Sequence, residues 1–412
     1  MTSDRVRRRF LLLRALRWFP TGLLIPVLIL ILLERGLSLA QIGLITAAQG
    51  FMVLLLELPT GALSDTLGRR PVLLLATLFQ LTSVGLFVVA DDLPSLVVVF
   101  ALQGVYRALE SGPLEAWYVD TAQRADPDAD IERGLSQGGV VIGVAIGAGT
   151  LTSSGLVLLG PVNGVDELVL PVLASLMIEV VHMGAIVVLM TEPRVGRGRA
   201  ALGHSLRRTG AVIGQAVRLI RGSTVLLALV SVEFLWGFGM QAFETFTPVK
   251  LSAVLDDPDR AAALLGPANT AAWLLAAAGA AAVPLLVRRL GTSWAAATMR
   301  VAQGLTVVGI ALATGPVGVV TAYLLTMTVH GAANPVHQGL LHRAVEGGSH
   351  RATVVSANSL TAQSGGAVGG IALGVLADAT SLTTAMLVGA AVLASAAPLY
   401  LAGRRSPTAV AS

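Results

Sequence analysis

The sequence predicts an all-α membrane protein of twelve transmembrane helices, arranged as two pseudo-symmetric six-helix bundles. Three observations carry that prediction. First, the 412 residues are 54% hydrophobic and only 13% charged, with a mean hydropathy of +0.78, whereas soluble domains carry about 25% charged residues. Second, the charges are gathered into short segments between long apolar runs. Third, parts of the first half recur in the second. There is no cysteine, so disulfides and thiolate metal sites are excluded.

A spanning helix needs ~20 mostly apolar residues. Such runs fall at 11–33, 39–60, 71–90, 94–119, 134–159, 168–190, 223–248, 261–287, 293–314, 317–341, 353–377 and 381–402. The first follows Arg5, Arg7, Arg8 and Arg9. No small-residue cleavage site comes after it, so it reads as a span and not as a removable leader. The eighth is the weakest, being dominated by alanine and glycine. Glycine is abundant in membrane helices generally, so the 45 glycines here do not count against spans.

Alternating the spans from a cytoplasmic N-terminus leaves only Arg35, Lys250 and Arg260 outside and Arg107 within the fourth span; every other basic residue falls inside. The outer loops carry Asp91, Asp92, Asp166, Glu167, Asp256, Asp257 and Asp259 instead. This positive-inside bias accounts for the pI of about 10.1 without any nucleic-acid partner. Both termini are expected in the cytoplasm and the protein in the inner (plasma) membrane. Arginine-heavy basic usage, with a single lysine, suggests a high-GC bacterial genome.

The longest polar segment, 191–222, divides residues 1–190 from 223–412 as two six-span bundles. Within it, Leu206–Ile220 mixes Arg207, Arg208 and Arg218 with Val212, Ile213, Val217 and Leu219. That pattern suits an amphipathic helix on an anionic leaflet or a solvated linker. At one constant offset, Gly138, Gly139, Gly143 and Gly147 of the fifth span fall on Gly365, Gly366, Gly370 and Gly374 of the eleventh. Two six-span repeats are what a two-repeat transporter predicts. The four-residue spacing of Gly139, Gly143 and Gly147 puts them on one face, where a second backbone could approach closely.

Between the second and third spans the chain reads Gly61-Ala-Leu-Ser-Asp65-Thr-Leu-Gly68-Arg69-Arg70-Pro71. This resembles the signature loop of the major facilitator superfamily, and the drug/proton antiporter-type exporters are closest in pattern. The resemblance implies a rocker-switch transporter with a latch in which Asp65 meets Arg69 and Arg69 meets Asp120, supported by Gly61, Gly68 and Arg70. Arg288-Arg-Leu-Gly291 looks like a copy of the same loop without the aspartate. Two departures stand out. Phe100 replaces the arginine that exporters carry three residues before the Gln103-Gly104 pair, with Arg107 one turn further on. The fifth span also lacks the exporters' Gly-Pro pair.

An ionised group at the bilayer centre costs at least ~2.5–3.5 kcal/mol, so each one in a span is a candidate site. Glu233, Glu110 and Glu115 are the proton-coupling candidates, and Glu233 leads because it falls near the middle of the seventh span. Arg107 and Glu110 are three apart and expected to pair. Trp236, Phe238, Gln241 and Glu244 follow Glu233 in an aromatic-rich stretch that suits a lipophilic cation. Gln49, Asn269, Trp273 and Asn358 are further cavity candidates. His330, Asn334 and His337 form one stripe of the tenth span, where the spacing alone does not argue for metal. Glu179 and His182 read as a structural pair.

With no phosphate-binding motif and no catalytic set, the expected protein is not an enzyme and has no cofactor; its energy source is the proton gradient. The excess of acids over Arg107 points to neutral or cationic cargo. The resulting reading is a monomeric, multidrug-type efflux protein, exchanging protons for small lipophilic molecules while surrounded by membrane lipids. Import or facilitation of a small metabolite, and a transporter-like receptor or scaffold that moves nothing, are the alternatives.

Overall fold

The computed structural model describes residues 2–192, 214, 217–345 and 351–405, with the backbone alone at 57–59, 61–62, 65–66, 351–352 and 403–405. Most of the stretch Leu206–Ile220 therefore lies outside the described residues. Among those described, twelve helical segments are long and apolar enough to cross a membrane. Spans 1 to 6 are Ser3–Glu34, Leu39–Leu56, Arg69–Val89, Leu93–Ala125, Ile131–Val157 and Leu170–Leu189. Spans 7 to 12 are Thr224–Leu255, Pro258–Leu290, Thr292–Leu312, Pro316–Ala344, Thr353–Ala379 and Leu382–Ala402.

Three spans expected to be continuous are each divided into two α-helices beside a proline, which lacks an amide donor and clashes with the preceding turn. Span 1 divides into Ser3–Leu24 and Leu28–Glu34 around Pro26. Span 4 divides into Leu93–Glu110 and Pro113–Ala125, with Gly112 left-handed at φ 94° and Pro113 opening the new helix. Glycine reaches that φ without strain, and proline is preorganised for the first helical position. Span 7 divides at Thr245, where Pro248 has no N–H to offer the Glu244 carbonyl. Asp92, Asp130, Ser223 and Ser381 each accept an amide proton from the first turn of the helix they precede, which closes those helix starts.

The chain forms two compact units. Unit one takes the described residues of 1–37, 48–209 and 257–270; unit two takes those of 38–47, 210–256 and 271–412. In unit one, span 1 packs on spans 5 and 6, and span 3 on spans 4 and 6. In unit two, span 7 packs on spans 11 and 12, and span 9 on spans 10 and 12. Every one of these pairings recurs six spans later, so the sequence repeat is also a packing repeat.

Lipid tails are as apolar as leucine, so helices in a membrane gain little from burial and hold together by close approach. Small residues supply it here. A Cβ on Gly22 would strike the Ile146 carbonyl, and one on Gly149 the Phe19 carbonyl. The equivalent contact in unit two is made by Gly237 against Ala362, and by Gly365 and Gly369 against Phe234 and Phe238. The expected stripe behaves differently. Gly139 and Gly143 have nothing within 4 Å of an added Cβ, and Gly147 meets only Thr270. The spacing puts those glycines on one face, but span 1 lies against a different face, the one carrying Gly149.

Gly365→Ala is expected to lose roughly 1–3 kcal/mol through overpacking. Gly143→Ala should be neutral or up to about 1 kcal/mol more stable, because alanine is the better helix former. Thermal unfolding in detergent measures both, and equal midpoints for the two variants would contradict the packing described.

Candidate functional site

Unit two holds a buried polar cluster built from five spans. Glu233 of span 7 is 6% exposed and Arg300 of span 9 is 2% exposed. The Glu233 carboxylate lies 3.9 Å from Arg300 Nη2 and 3.1 Å from His337 Nε2 of span 10. His337 Nδ1 is 2.9 Å from the Tyr400 hydroxyl of span 12, and its Nε2 is 3.4 Å from Asn358 Oδ1 of span 11. Arg300 Nη1 donates to Gln303 Oε1 at 2.9 Å, and Gln303 Nε2 reaches His330 Nδ1 at 3.4 Å. His330 stacks on Trp236 with centroids 5.6 Å apart.

The electrostatics follow from burial. Either ion alone would cost several kcal/mol in an apolar interior; together they cancel. A neutral imidazole has one donor and one acceptor nitrogen. With Tyr400 donating its O–H to His337 Nδ1, His337 Nε2–H is free to donate to Glu233. The cluster is then a continuous line of exchangeable protons ending on a carboxylate.

Sequence reading missed Arg300, Gln303 and Tyr400. The topology count puts Arg300 among the inner charges, although it sits two turns inside an apolar helix, and that position is the available signal. It also occupies the aromatic partner expected for cargo, since its guanidinium lies 5.9 Å from the Trp236 ring centroid.

Unit one has its own charges. Arg17 of span 1, buried between Trp18 and Tyr106 at 4.6 Å from each ring, lies 3.2 Å from Glu110 Oε2. Arg14 pairs with Glu115 at 2.6 Å. Glu110 therefore meets Arg17 across two spans, where a pair with Arg107 on its own helix was expected; Arg107 lies on an exposed face. The inferred excess of acids within the spans also falls away, because Arg14, Arg17 and Arg300 reach in to match Glu115, Glu110 and Glu233. Arginines near a helix end were counted as loop charges, and only packing reveals which way they point. The Gly112 break likewise means that Glu115 is not placed by one continuous helix.

The remaining candidates scatter. Gln49 Nε2 is 3.5 Å from Gln103 Oε1. Asn269 donates to the Leu265 carbonyl of its own helix, and Gln241 accepts from Thr245. Phe238 is half-buried, while Glu244, Trp273 and Asn334 are exposed. Glu179 and His182 are buried 3.2 Å apart.

At the loop between spans 2 and 3, Gly68 has φ 93°. The Arg69 side chain donates to Asp120 and to the Ala116 carbonyl, and Arg70 donates to the Val187 carbonyl. Gly61 and Asp65 lie in helix, and their side chains are outside the described residues. Glu192, not singled out in the sequence, accepts the amide protons of Arg69 and Arg70 on its two oxygens, each at 3.0 Å. A carboxylate there satisfies two orphan donors and the positive end of the helix dipole.

The family model described as Major Facilitator Superfamily matches residues 10–367. Among solved structures, the chain is similar to the nucleoside transporter NupG at 13% identity and a TM-score of 0.79, covering 97% of this chain and 99% of that one. It is similar to a bacterial homologue of the human lysosomal transporter Spinster, inward-facing and unoccupied, at 15% identity and 0.76, covering 98% and 99%. The human organic anion transporter MFSD10 is similar at 17% identity and 0.62, covering 97% and 100%. Comparison with curated protein sequences gives no match.

Glu192→Ala removes both acceptors from the start of span 3 and should cost about 1–2 kcal/mol, the scale of a lost helix cap. An unchanged unfolding midpoint would show that the cap carries no stability.

Proposed function

Because the chain belongs to the major facilitator superfamily, a family of transporters, we propose that it is a secondary active transporter that exports small lipophilic molecules, neutral or cationic, in exchange for protons. The observation that carries this reading is the buried line Tyr400–His337–Glu233 beside Arg300. When Glu233 is ionised, Arg300 neutralises it. When Glu233 takes a proton, Arg300 is left as an uncompensated buried charge and favours a conformation in which water or another anion reaches it. Proton occupancy and conformation are thereby linked, as coupling requires. Cargo that binds from the cytoplasmic side displaces the proton, and protonation from the outside releases the cargo.

Since Glu110, Glu115 and Glu233 each face an arginine, neutral amphipathic cargo fits more simply than a cation, which would have to displace a guanidinium. In unit one, Arg69 and Asp120 form the latch on this reading, with Glu192 holding the backbone beneath them. The protein works as a monomer in the plasma membrane with both termini cytoplasmic, and draws on the proton gradient without a cofactor.

A second reading is import of a small hydrogen-bonding metabolite. It is favoured by the amide groups of Gln303 and Asn358 in the polar cluster of unit two, which suit a polar cargo better than a lipophilic one. Uptake by proteoliposomes under a pH gradient imposed in each direction separates the two: export predicts cargo movement opposite to the proton, and import predicts movement with it or no response.

Glu233→Gln should abolish pH-driven flux. It also leaves Arg300 unpaired, and losing one partner of a buried pair costs about 3–5 kcal/mol, so the unfolding midpoint should fall. Adding Arg300→Gln should restore much of the stability but none of the coupled flux. Flux at the normal rate in Glu233→Gln would remove this carboxylate from the mechanism.

A further inference from the structure

Away from the buried cluster, unit two carries two neighbouring cavities along spans 8, 9 and 10. One, of about 420 Å³, is apolar, with Leu285, Leu286, Met299 and Val329 in its walls and Arg289 also lining it. The other, of about 340 Å³, lies around the turn between spans 8 and 9. It is lined by Gly291, Thr292, Ser293, Trp294 and Arg343. Leu285 is 64% exposed and Trp294 49%, so this face meets the surrounding medium and not the core of the unit.

An apolar groove on a membrane protein will touch some acyl chain wherever it lies. Charge singles this one out. Arg289 and Arg343 are both exposed, and among the described residues neither forms an ion pair with a carboxylate. The internal repeat sharpens the contrast. The start of span 3 follows a left-handed glycine and is closed by Glu192. The start of span 9 follows Gly291 at φ 76°, and among the described residues no side chain accepts its first amide protons. Where Glu192 follows span 6, the sequence after span 12 reads Arg404-Arg405.

We propose that this face holds one anionic diacyl phospholipid, with its phosphate between Arg289, Arg343 and the first amides of span 9 and one acyl chain lying in the groove. Basic pockets at the ends of membrane helices bind anionic headgroups, and each arginine near such a headgroup adds to the attraction. The linings of the basic pocket and the apolar groove adjoin at Leu290 and Arg289, and a headgroup beside an acyl-lined groove commits the site to a lipid and not to a free anion.

The test is native mass spectrometry of the full chain in detergent, with dioleoyl phosphatidylglycerol and dioleoyl phosphatidylcholine added together. The expected result is a preference for the anionic lipid of roughly tenfold, lost in Arg289→Gln/Arg343→Gln and retained in Arg288→Gln, which removes a neighbouring arginine charge outside the two cavities. Ala282→Phe, which fills the groove from an exposed position, should weaken binding of the anionic lipid; Leu285→Asn is the second groove variant if that protein does not fold. Equal occupancy by the two lipids would overturn the proposal, as would a preference that survives the double variant or falls equally in Arg288→Gln. Displacement by inorganic phosphate, with no effect of either groove variant, would overturn it in favour of a bare anion site.

Discussion

An arginine cannot shed its charge inside a protein, and that constraint organises both units. Once Arg17 and Arg300 are carried into apolar surroundings, each needs a carboxylate nearby, and the spans that supply one must sit together. Arg17 binds span 1 to span 4 through Glu110, and Arg300 binds span 9 to span 7 through Glu233. A leucine at either position would leave the opposing glutamate as the orphan. These pairs are a poor source of stability, because desolvation cancels most of the attraction. Their value lies in the fact that the carboxylate member can change charge and the arginine cannot.

The internal repeat shows what duplication preserved and what it released. Backbone packing is preserved: spans 1 and 5 approach through glycine, as do spans 7 and 11, and each pairing recurs six spans on. Charge is not preserved. Span 1 carries the arginine and span 4 the acid in unit one, whereas span 7 carries the acid and span 9 the arginine in unit two. The polarity of the pair is inverted, and only unit two adds a hydroxyl and an imidazole in series with the carboxylate. Close packing constrains residue volume at every turn, so it resists change. A charged pair constrains only the sum of its charges, so it can be exchanged between helices.

The loops diverge by the same logic. The turn into span 3 keeps two arginines whose backbone amides are held by Glu192 and one of whose side chains meets Asp120. The turn into span 9 keeps the left-handed glycine, but Thr292 and Ser293 follow it in place of the arginines. The glycine is required by backbone geometry in both units. The side chains around it answer to local charge, which differs between the two ends of the chain.

Sequence alone determined the twelve spans, the twofold repeat and the family loop. Each of these rests on local composition or on short spacing, and a bilayer makes such signals strong by excluding polar backbone and charge. The tertiary structure alone decided which arginines are anchors and which are partners. Arg14, Arg17 and Arg300 lie close enough to helix ends to pass as loop charges, and their long side chains can point either way. It also decided that Glu110 meets Arg17, that Tyr400 and Asn358 converge on His337, and that span 1 lies against Gly149 and not Gly143. Helical periodicity states which residues share a face; which neighbour that face meets is settled by packing between spans far apart in the chain.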